Sequence, residues 1–302
     1  MLQSGIPRPQ RTLRRPVVVE GAGYWSGVRN RVELRPAPAA AGVVFVRRDL
    51  DPSVRIPARL DRRVDAEART NLAAGAARVE MVEHVLSALA GLGIDCCEVS
   101  VEAAELPGLD GSSRAFVEAI DSVGFEEVGA PCEPIVVDRE IRVEDGRGWV
   151  ELSPPRFDGL SVEYLLDYGD GPIGRQRCAV DVTPDAYRME LAGARTFLGV
   201  QDAERLRASG RGLHVEFSDL LVFGPEGPLG NSLRWPDECA RHKALDVVGD
   251  LSLAGRPIHA SVRSSRSGHR LNAMAVARVL ALASARGVAV SGVRGTARRR
   301  SA

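Results

Sequence analysis

The stretch Arg241-His242-Lys243-Ala244-Leu245-Asp246-Val247-Val248-Gly249-Asp250-Leu251 spaces one histidine and two aspartates four residues apart inside an amphipathic pattern. At 3.6 residues per turn a step of four drifts by only roughly 40°, so His242, Asp246 and Asp250 form one polar stripe, with Lys243 beside Asp250. The opposite arc holds Ala244, Leu245, Val247, Val248 and Leu251, wide enough to face a core, and Gly255 followed by Pro257 is a helix stop. The pattern predicts a helix over 237–254 that presents acids and a base to a cleft.

Imidazole and carboxylate suit zinc, and three protein ligands with one open position is the catalytic arrangement. One helix supplies too few, and an isolated H-x3-D is more often a solvated face. A second piece is Val82-Glu83-His84-Val85-Leu86, where Val82, Val85, Leu86 and Leu89 follow the rhythm of a helix buried on one side, so Glu83 and His84 leave it together. An adjacent pair of this kind suits a metal hydrolase: the imidazole holds the ion while the carboxylate takes a proton from water. A third piece is Ser267-Gly268-His269-Arg270-Leu271-Asn272, whose glycine lets the backbone approach something closely. His269 is there either a general acid or a capping residue. His214 and His259 read as structural or surface residues.

Working outward, Val17 to Glu20, Arg31 to Arg35 and Gly42 to Arg47 alternate like strands ahead of the helix carrying Glu83 and His84, and Val99 to Val101 resumes extended structure. Ser113 to Ser122 has helical periodicity. A break at Gly129-Ala130-Pro131-Cys132 marks a domain boundary. Strands then follow at 135–137, 141–143, 149–152 and 161–166, before the 237–254 helix, a strand and a last helix over 272–285. The halves repeat one order of elements without a residue-level repeat, giving an α+β reading with domains at 13–129 and 134–290 and flexible tails at 1–12 and 291–302.

Composition excludes several classes of function. The chain has 302 residues, 44% hydrophobic and 26% charged, which is ordinary for a globular protein and enough for two cores. Forty basic and forty acidic residues cancel, leaving no electrostatic case for nucleic acid or an anionic membrane surface. The basic ends, Arg11, Arg14, Arg15 and Arg298 to Arg300, are short and read as solvated tails. No apolar run approaches the roughly 18 to 20 residues a membrane helix needs, and there is no signal-like apolar region, so a cytoplasmic monomer without stable membrane insertion is expected. Five cysteines, Cys96, Cys97, Cys132, Cys178 and Cys239, with no C-x-x-C spacing, read as reduced packing residues.

Taken in order, the motifs resemble the UDP-3-O-acyl-N-acetylglucosamine deacetylase family, zinc amidases of the committed step of lipid A synthesis. They are Val82-Glu83-His84 with Ala88 to Asp95 behind it, Glu105-Leu106-Pro107, Asp110-Gly111-Ser112, Ala194-Arg195-Thr196-Phe197, Asn231-Ser232-Leu233-Arg234, the Arg241 to Leu251 helix, and Ser267-Gly268-His269 with Leu271-Asn272. The resemblance runs from about Val19 to about Leu282, and ordered motifs spread so widely are far more specific than any one of them.

What the resemblance implies is a fold of two similar α+β domains, each a sheet layer packed with helices, with zinc at their interface. It implies that His84, His242 and Asp246 bind the metal, that Glu83 is the general base, that the Thr196 hydroxyl supports the oxyanion, and that a cationic His269 oriented by Asp250 protonates the leaving amine. The bland alternatives are a strand residue packed beside Phe197 for Thr196 and an Asp-Gly turn for Asp110. The substrate implied is a small nucleotide sugar bearing a fatty acyl chain. Lys243 and Arg266 fit its charged part, with Phe197 and Asp110 as further substrate contacts, and Leu198-Gly199-Val200 and Leu213-His214-Val215-Glu216-Phe217 fit the greasy part. A hydrolase for another N-acetyl sugar, or a homologue that only binds nucleotide sugars or lipids, stays open at this point.

Two positions depart from the family pattern. Trp25, in Gly21-Ala22-Gly23-Tyr24-Trp25-Ser26-Gly27, stands where a histidine is usual, and Val215-Glu216-Phe217 stands where a Gly-Gly pair is usual. The first should spare metal binding and alter local substrate contacts or pocket shape. The second should reshape the acyl tunnel and shift chain-length preference.

Overall fold

The structure is a computed structural model, and it describes residues 8–50 and 54–287. Its N-terminal half runs β1 (Pro9–Leu13), β2 (Val17–Ala22), β3 (Arg29–Pro36), β4 (Val43–Arg47), β5 (Arg55–Pro57), β6 (Arg63–Val64), β7 (Asn71–Ala74), β8 (Ala77–Val79), α1 (Glu83–Gly91), β9 (Cys97–Val101), α2 (Arg114–Val123) and β10 (Phe125–Pro131). The C-terminal half runs β11 (Ile135–Val136), β12 (Ile141–Asp145), β13 (Gly148–Ser153), β14 (Leu160–Asp167), β15 (Arg175–Val182), α3 (Pro184–Ala186), β16 (Phe197–Gly199), α4 (Val200–Ala208), β17 (Leu221–Gly224), β18 (Gly227–Pro228), α5 (Glu238–Leu251), β19 (Ile258–Ser265) and α6 (His269–Ala285).

The two main sheets share one topology. The first is ordered β2-β3-β9-β4-β5 and the second β12-β13-β19-β14-β15, with β11 added beside β19. In each, the sheet's last strand in chain order enters the middle, antiparallel to the sheet's second strand and parallel to its third. The similarity expected from element order is therefore a similarity of strand connection. Alternation sets the buried face: in β3, Asn30, Val32 and Leu34 are buried while Arg31 and Glu33 keep contact with water. Two small three-stranded sheets, β6-β7-β8 and β16-β17-β18, are inserted into the respective halves.

Helices α1 and α5 pack on each other, α5 also lies on β14 and β15, and α6 lies on β12 and β13. Two glycines permit close approach. A Cβ at Gly249 would lie 2.3 Å from the Glu83 carbonyl oxygen, and one at Gly91 would lie 2.3 Å from the ring of Tyr187. Glycine in α5 is thus what lets the start of α1 press against it. The polar stripe of α5 does not face water: His242, Asp246 and Asp250 are as buried as Leu245 and Val247. The helix is covered on nearly all sides because it lies where the halves meet.

Two sequence expectations need correction. Residues 9–12, placed in a flexible tail, form most of β1, with Thr12 buried. Gly129 to Pro131, read as a break, close β10, which pairs antiparallel with β1. Each strand satisfies the other's backbone groups across more than a hundred residues, a partnership no local signal announces. Arg8, also placed in that tail, is paired with Asp95, and residues 1–7 and 291–302 of the expected tails lie outside the described residues. All five cysteines are free and buried. Among the described residues, no helix is long and apolar enough to cross a membrane.

Candidate metal centre

Helix α1 opens on Glu83 and His84, and α5 carries His242 and Asp246 on adjacent turns, so the packing of α1 on α5 brings three of these side chains together. One ligand atom from each of His84, His242 and Asp246 lies within 4.8 Å of the others. All three residues are buried. His242 Nδ1 is 3.1 Å from the Ala194 carbonyl oxygen, which can only accept, so Nδ1 carries the proton and Nε2 keeps its lone pair. That Nε2 lies 3.5 Å from Asp246 Oδ1.

The fit to a cation is visible in what is left unpaired. Asp246 Oδ1 and His84 Nδ1 are buried with no hydrogen-bond partner, and an unpaired buried carboxylate oxygen is costly unless a cation satisfies it. Protonation agrees. Burial, reinforced by neighbouring His242, pushes His84 down to about 3, and burial also lowers His242, so both imidazoles are neutral, the form that ligates. For Asp246 burial acts upward, but His242, Lys243, His269 and His84 together outweigh it and hold the carboxyl well below its usual range. A His/His/Asp set of this kind could bind a metal.

A second set of groups borders the first. Glu83 Oε2 accepts the Thr70 backbone N–H at 2.9 Å, while Oε1 lies 3.9 Å from His269 Nε2. His269 begins α6, and its Nδ1 is 2.9 Å from Asp250 Oδ2. Asp250 also accepts from Asn272 Nδ2 at 2.8 Å and from the Thr70 hydroxyl at 2.6 Å. Burial raises Glu83 to about 7; the attraction of His269 opposes this and the charges of Asp246 and Asp250 add to it. Burial and the helix N-terminus both disfavour a cationic His269, yet Asp250, Glu83 and Asp246 raise it to about 9. A carboxyl and an imidazole thus face each other beside the His/His/Asp set, both with a raised affinity for a proton, the first to about 7 and the second to about 9.

A buried ion pair braces the surrounding loops. The Arg195 guanidinium donates to both carboxylate oxygens of Glu238, at 2.8 and 3.1 Å, to Asn231 Oδ1 at 2.7 Å and to the Ser232 carbonyl at 2.6 Å. Arg195 stands between Ala194, whose carbonyl holds His242, and Thr196, which is half-buried. Next along, Phe197 sets its ring edge-on to His242 with centroids 6.4 Å apart.

The remaining expected residues are more dispersed. Lys243 Nζ donates to Asp246 Oδ2 at 2.9 Å, which ties it to the centre. Arg266 pairs with Asp167 at 2.9 Å, and its backbone takes a positive φ of 47°. Asp110 holds Ser112 through one oxygen and Arg234 through the other, at 2.7 and 2.8 Å, in the turn made by Gly111. The guanidinium groups of Arg69 and Arg211 each lie 4.7 Å from the centroid of the Trp25 ring, so Trp25 touches the insert following Phe197. His214 of that insert sits against Gly27, and Phe217 lies under Arg207. A separate cavity of about 600 Å³ opens beside the C-terminal ends of α1 and α5, but it includes none of the centre's residues.

A sequence model of UDP-3-O-acyl N-acetylglycosamine deacetylase matches residues 10–281. The chain belongs to this deacetylase family. It is 41% identical over 278 residues to the UDP-3-O-acyl-N-acetylglucosamine deacetylase of Anaeromyxobacter sp. (strain Fw109-5), covering 90% of this chain and 88% of that one. Its identity to the protein of that name from Brucella ovis is 40% over 274 residues, covering 90% and 95%. The family resemblance read from ordered motifs is confirmed, and with it the α+β class.

Within this deacetylase family member, the residues sequence reasoning passed over are Thr70, Asn272 as a partner of Asp250, and the Arg195–Glu238 pair. Asn272 had one available signal, its place three residues after His269 on a helix. Thr70 had none.

Proposed function

We propose that this enzyme is a zinc-dependent amide hydrolase that removes the N-acetyl group of UDP-3-O-acyl-N-acetylglucosamine, releasing acetate and UDP-3-O-acyl-glucosamine for lipid A biosynthesis. The observation that carries the reading is the buried His84–His242–Asp246 triangle bordered by Glu83 and His269. The imidazole and carboxylate donors suit zinc. When bound there, zinc supplies Lewis acidity, favouring loss of a proton from water near neutral pH and polarising an amide carbonyl.

The protein's own groups supply the rest. The Glu83 carboxylate, held through Oε2 by Thr70, keeps Oε1 for accepting the proton of the attacking water. The Thr196 hydroxyl donates to the oxygen that gains charge as the carbonyl becomes tetrahedral. His269, protonated and oriented by Asp250, passes the Nε2 proton to the sugar nitrogen as the C–N bond breaks. Acetate leaves, and the amine remains on the sugar. Lys243 and Arg266 serve the nucleotide end of the substrate, and the insert from Leu198 to Phe217 serves the acyl chain. Val215-Glu216-Phe217 there shifts the preferred chain length.

The test is acetate release from UDP-3-O-acyl-N-acetylglucosamine carrying a series of acyl lengths, before and after chelation and on return of zinc. Turnover abolished by the chelator and restored by zinc is the expected result. An active zinc enzyme that rejects every such substrate would overturn the assigned sugar, and activity indifferent to chelation would overturn the metal.

A further inference from the structure

Thr70 is fully buried and immediately precedes β7, on the opposite half of the molecule from Asp250. Three of its groups are spent on the centre. Its backbone N–H donates to Glu83 Oε2 at 2.9 Å, its hydroxyl donates to Asp250 Oδ1 at 2.6 Å, and its carbonyl accepts the N–H of Val82, the residue before α1, at 3.1 Å. Asp250 in turn holds His269 through its other oxygen.

We infer that Thr70 is a positioning residue that gears the base to the acid, fixing Glu83 with its main chain and the Asp250–His269 pair with its side chain. The inference rests on the roles proposed above for Glu83, Asp250 and His269. The hydroxyl is committed as donor, because the carboxylate it faces can only accept. With Oδ1 engaged, the Asp250 carboxylate cannot rotate about its Cβ–Cγ bond, and Oδ2 stays aimed at His269 Nδ1 and Asn272 Nδ2. With the main chain tied to Val82, the N–H that holds Glu83 moves with α1, which carries both Glu83 and His84. One residue therefore sets the separation between the group that takes a proton and the group that gives one, across the seam between the halves. A misplacement of about 1 Å at such a site costs on the order of 100-fold in rate.

The experiment compares Thr70→Val, Thr70→Ala and Thr70→Ser in the zinc-loaded enzyme, measuring kcat, KM and bound zinc. Valine keeps the volume and removes the hydroxyl; alanine makes the same comparison should valine fail to fold. The expected result is a fall in kcat of about 10- to 100-fold with KM and zinc content unchanged, and recovery to within about threefold by serine. In an Asp250→Asn background the valine or alanine change should add little, because the hydroxyl acts through Asp250. A kcat kept within about threefold by valine or alanine, or a full additive loss in the Asp250→Asn background, sinks this inference alone, provided that Glu83→Gln and Asp250→Asn are themselves impaired. Activity retained by those two variants would instead overturn the catalytic reading.

Discussion

Asp250 and His269 are joined by a 2.9 Å hydrogen bond between Oδ2 and Nδ1, linking the third polar turn of α5 to the first residue of α6. The bond leaves Nε2 as the only ring nitrogen turned toward Glu83. Asp250→Asn keeps the shape but removes the charge that favours the imidazolium and substitutes a group that can donate to Nδ1. We expect kcat to fall by about 100-fold or more with bound zinc unchanged, measured by acetate release beside metal analysis.

Metal retention and turnover should separate cleanly between neighbours on α1 and α5. Glu83→Gln should keep the metal and lose at least about 100-fold in kcat, since an amide cannot accept the proton. His242→Ala and Asp246→Ala should lose the metal itself. Atomic absorption on dialysed protein distinguishes the two outcomes, and a metal-free Glu83→Gln would contradict the assignment.

The pH profile follows from two displaced affinities. In the proposed mechanism Glu83 is ionised to accept a proton, so activity should rise with pH through its titration at about 7; His269 is protonated to donate, so activity should fall through about 9. The predicted kcat/KM profile is a bell. A zinc ion adds positive charge beside both groups and moves both limbs downward from these values. His269→Gln should remove the alkaline limb, and a profile that keeps it would reassign that limb to another group.

Removing one partner of the Arg195–Glu238 pair strands a buried charge. Arg195→Met or Glu238→Gln should destabilise the protein by about 3–5 kcal/mol, read from denaturant unfolding, and should loosen His242 through the Ala194 carbonyl. A midpoint unchanged in both variants would show that the pair is dispensable.

Gly249→Ala tests the contact that builds the centre. The added methyl overlaps the Glu83 carbonyl oxygen, so α1 and α5 must separate. The expected cost is about 1–3 kcal/mol of overpacking together with weaker zinc retention, measured by chelator competition.

The centre was largely legible because its residues lie on helices whose periodicity is strong. His242, Asp246 and Asp250 announce one face by spacing alone, and Glu83 and His84 sit ahead of a clean apolar rhythm. The main strands β2, β3, β4, β12, β13 and β14 were readable for the same reason. The small sheets were not: β7 is Asn-Leu-Ala-Ala and β6 has two residues, too short and too weakly β-forming to stand out from a loop. Strand β10 carries Gly129 and Pro131, which read as punctuation until β1 supplies its partner. Thr70 escaped because nothing local marks it; its partner Asp250 is 180 residues away in sequence.

The contact at Gly249 gives the proposed metal a second consequence. Donors from α1 and α5 meet only while these helices stay in register, so the cradle senses how the two halves are aligned. An ion that binds the aligned form and not a slipped one would favour alignment by mass action, and its removal would withdraw that stabilisation. Hydrogen exchange along α1 and α5 should therefore quicken together when metal is withdrawn, although the two helices come from different halves of the chain.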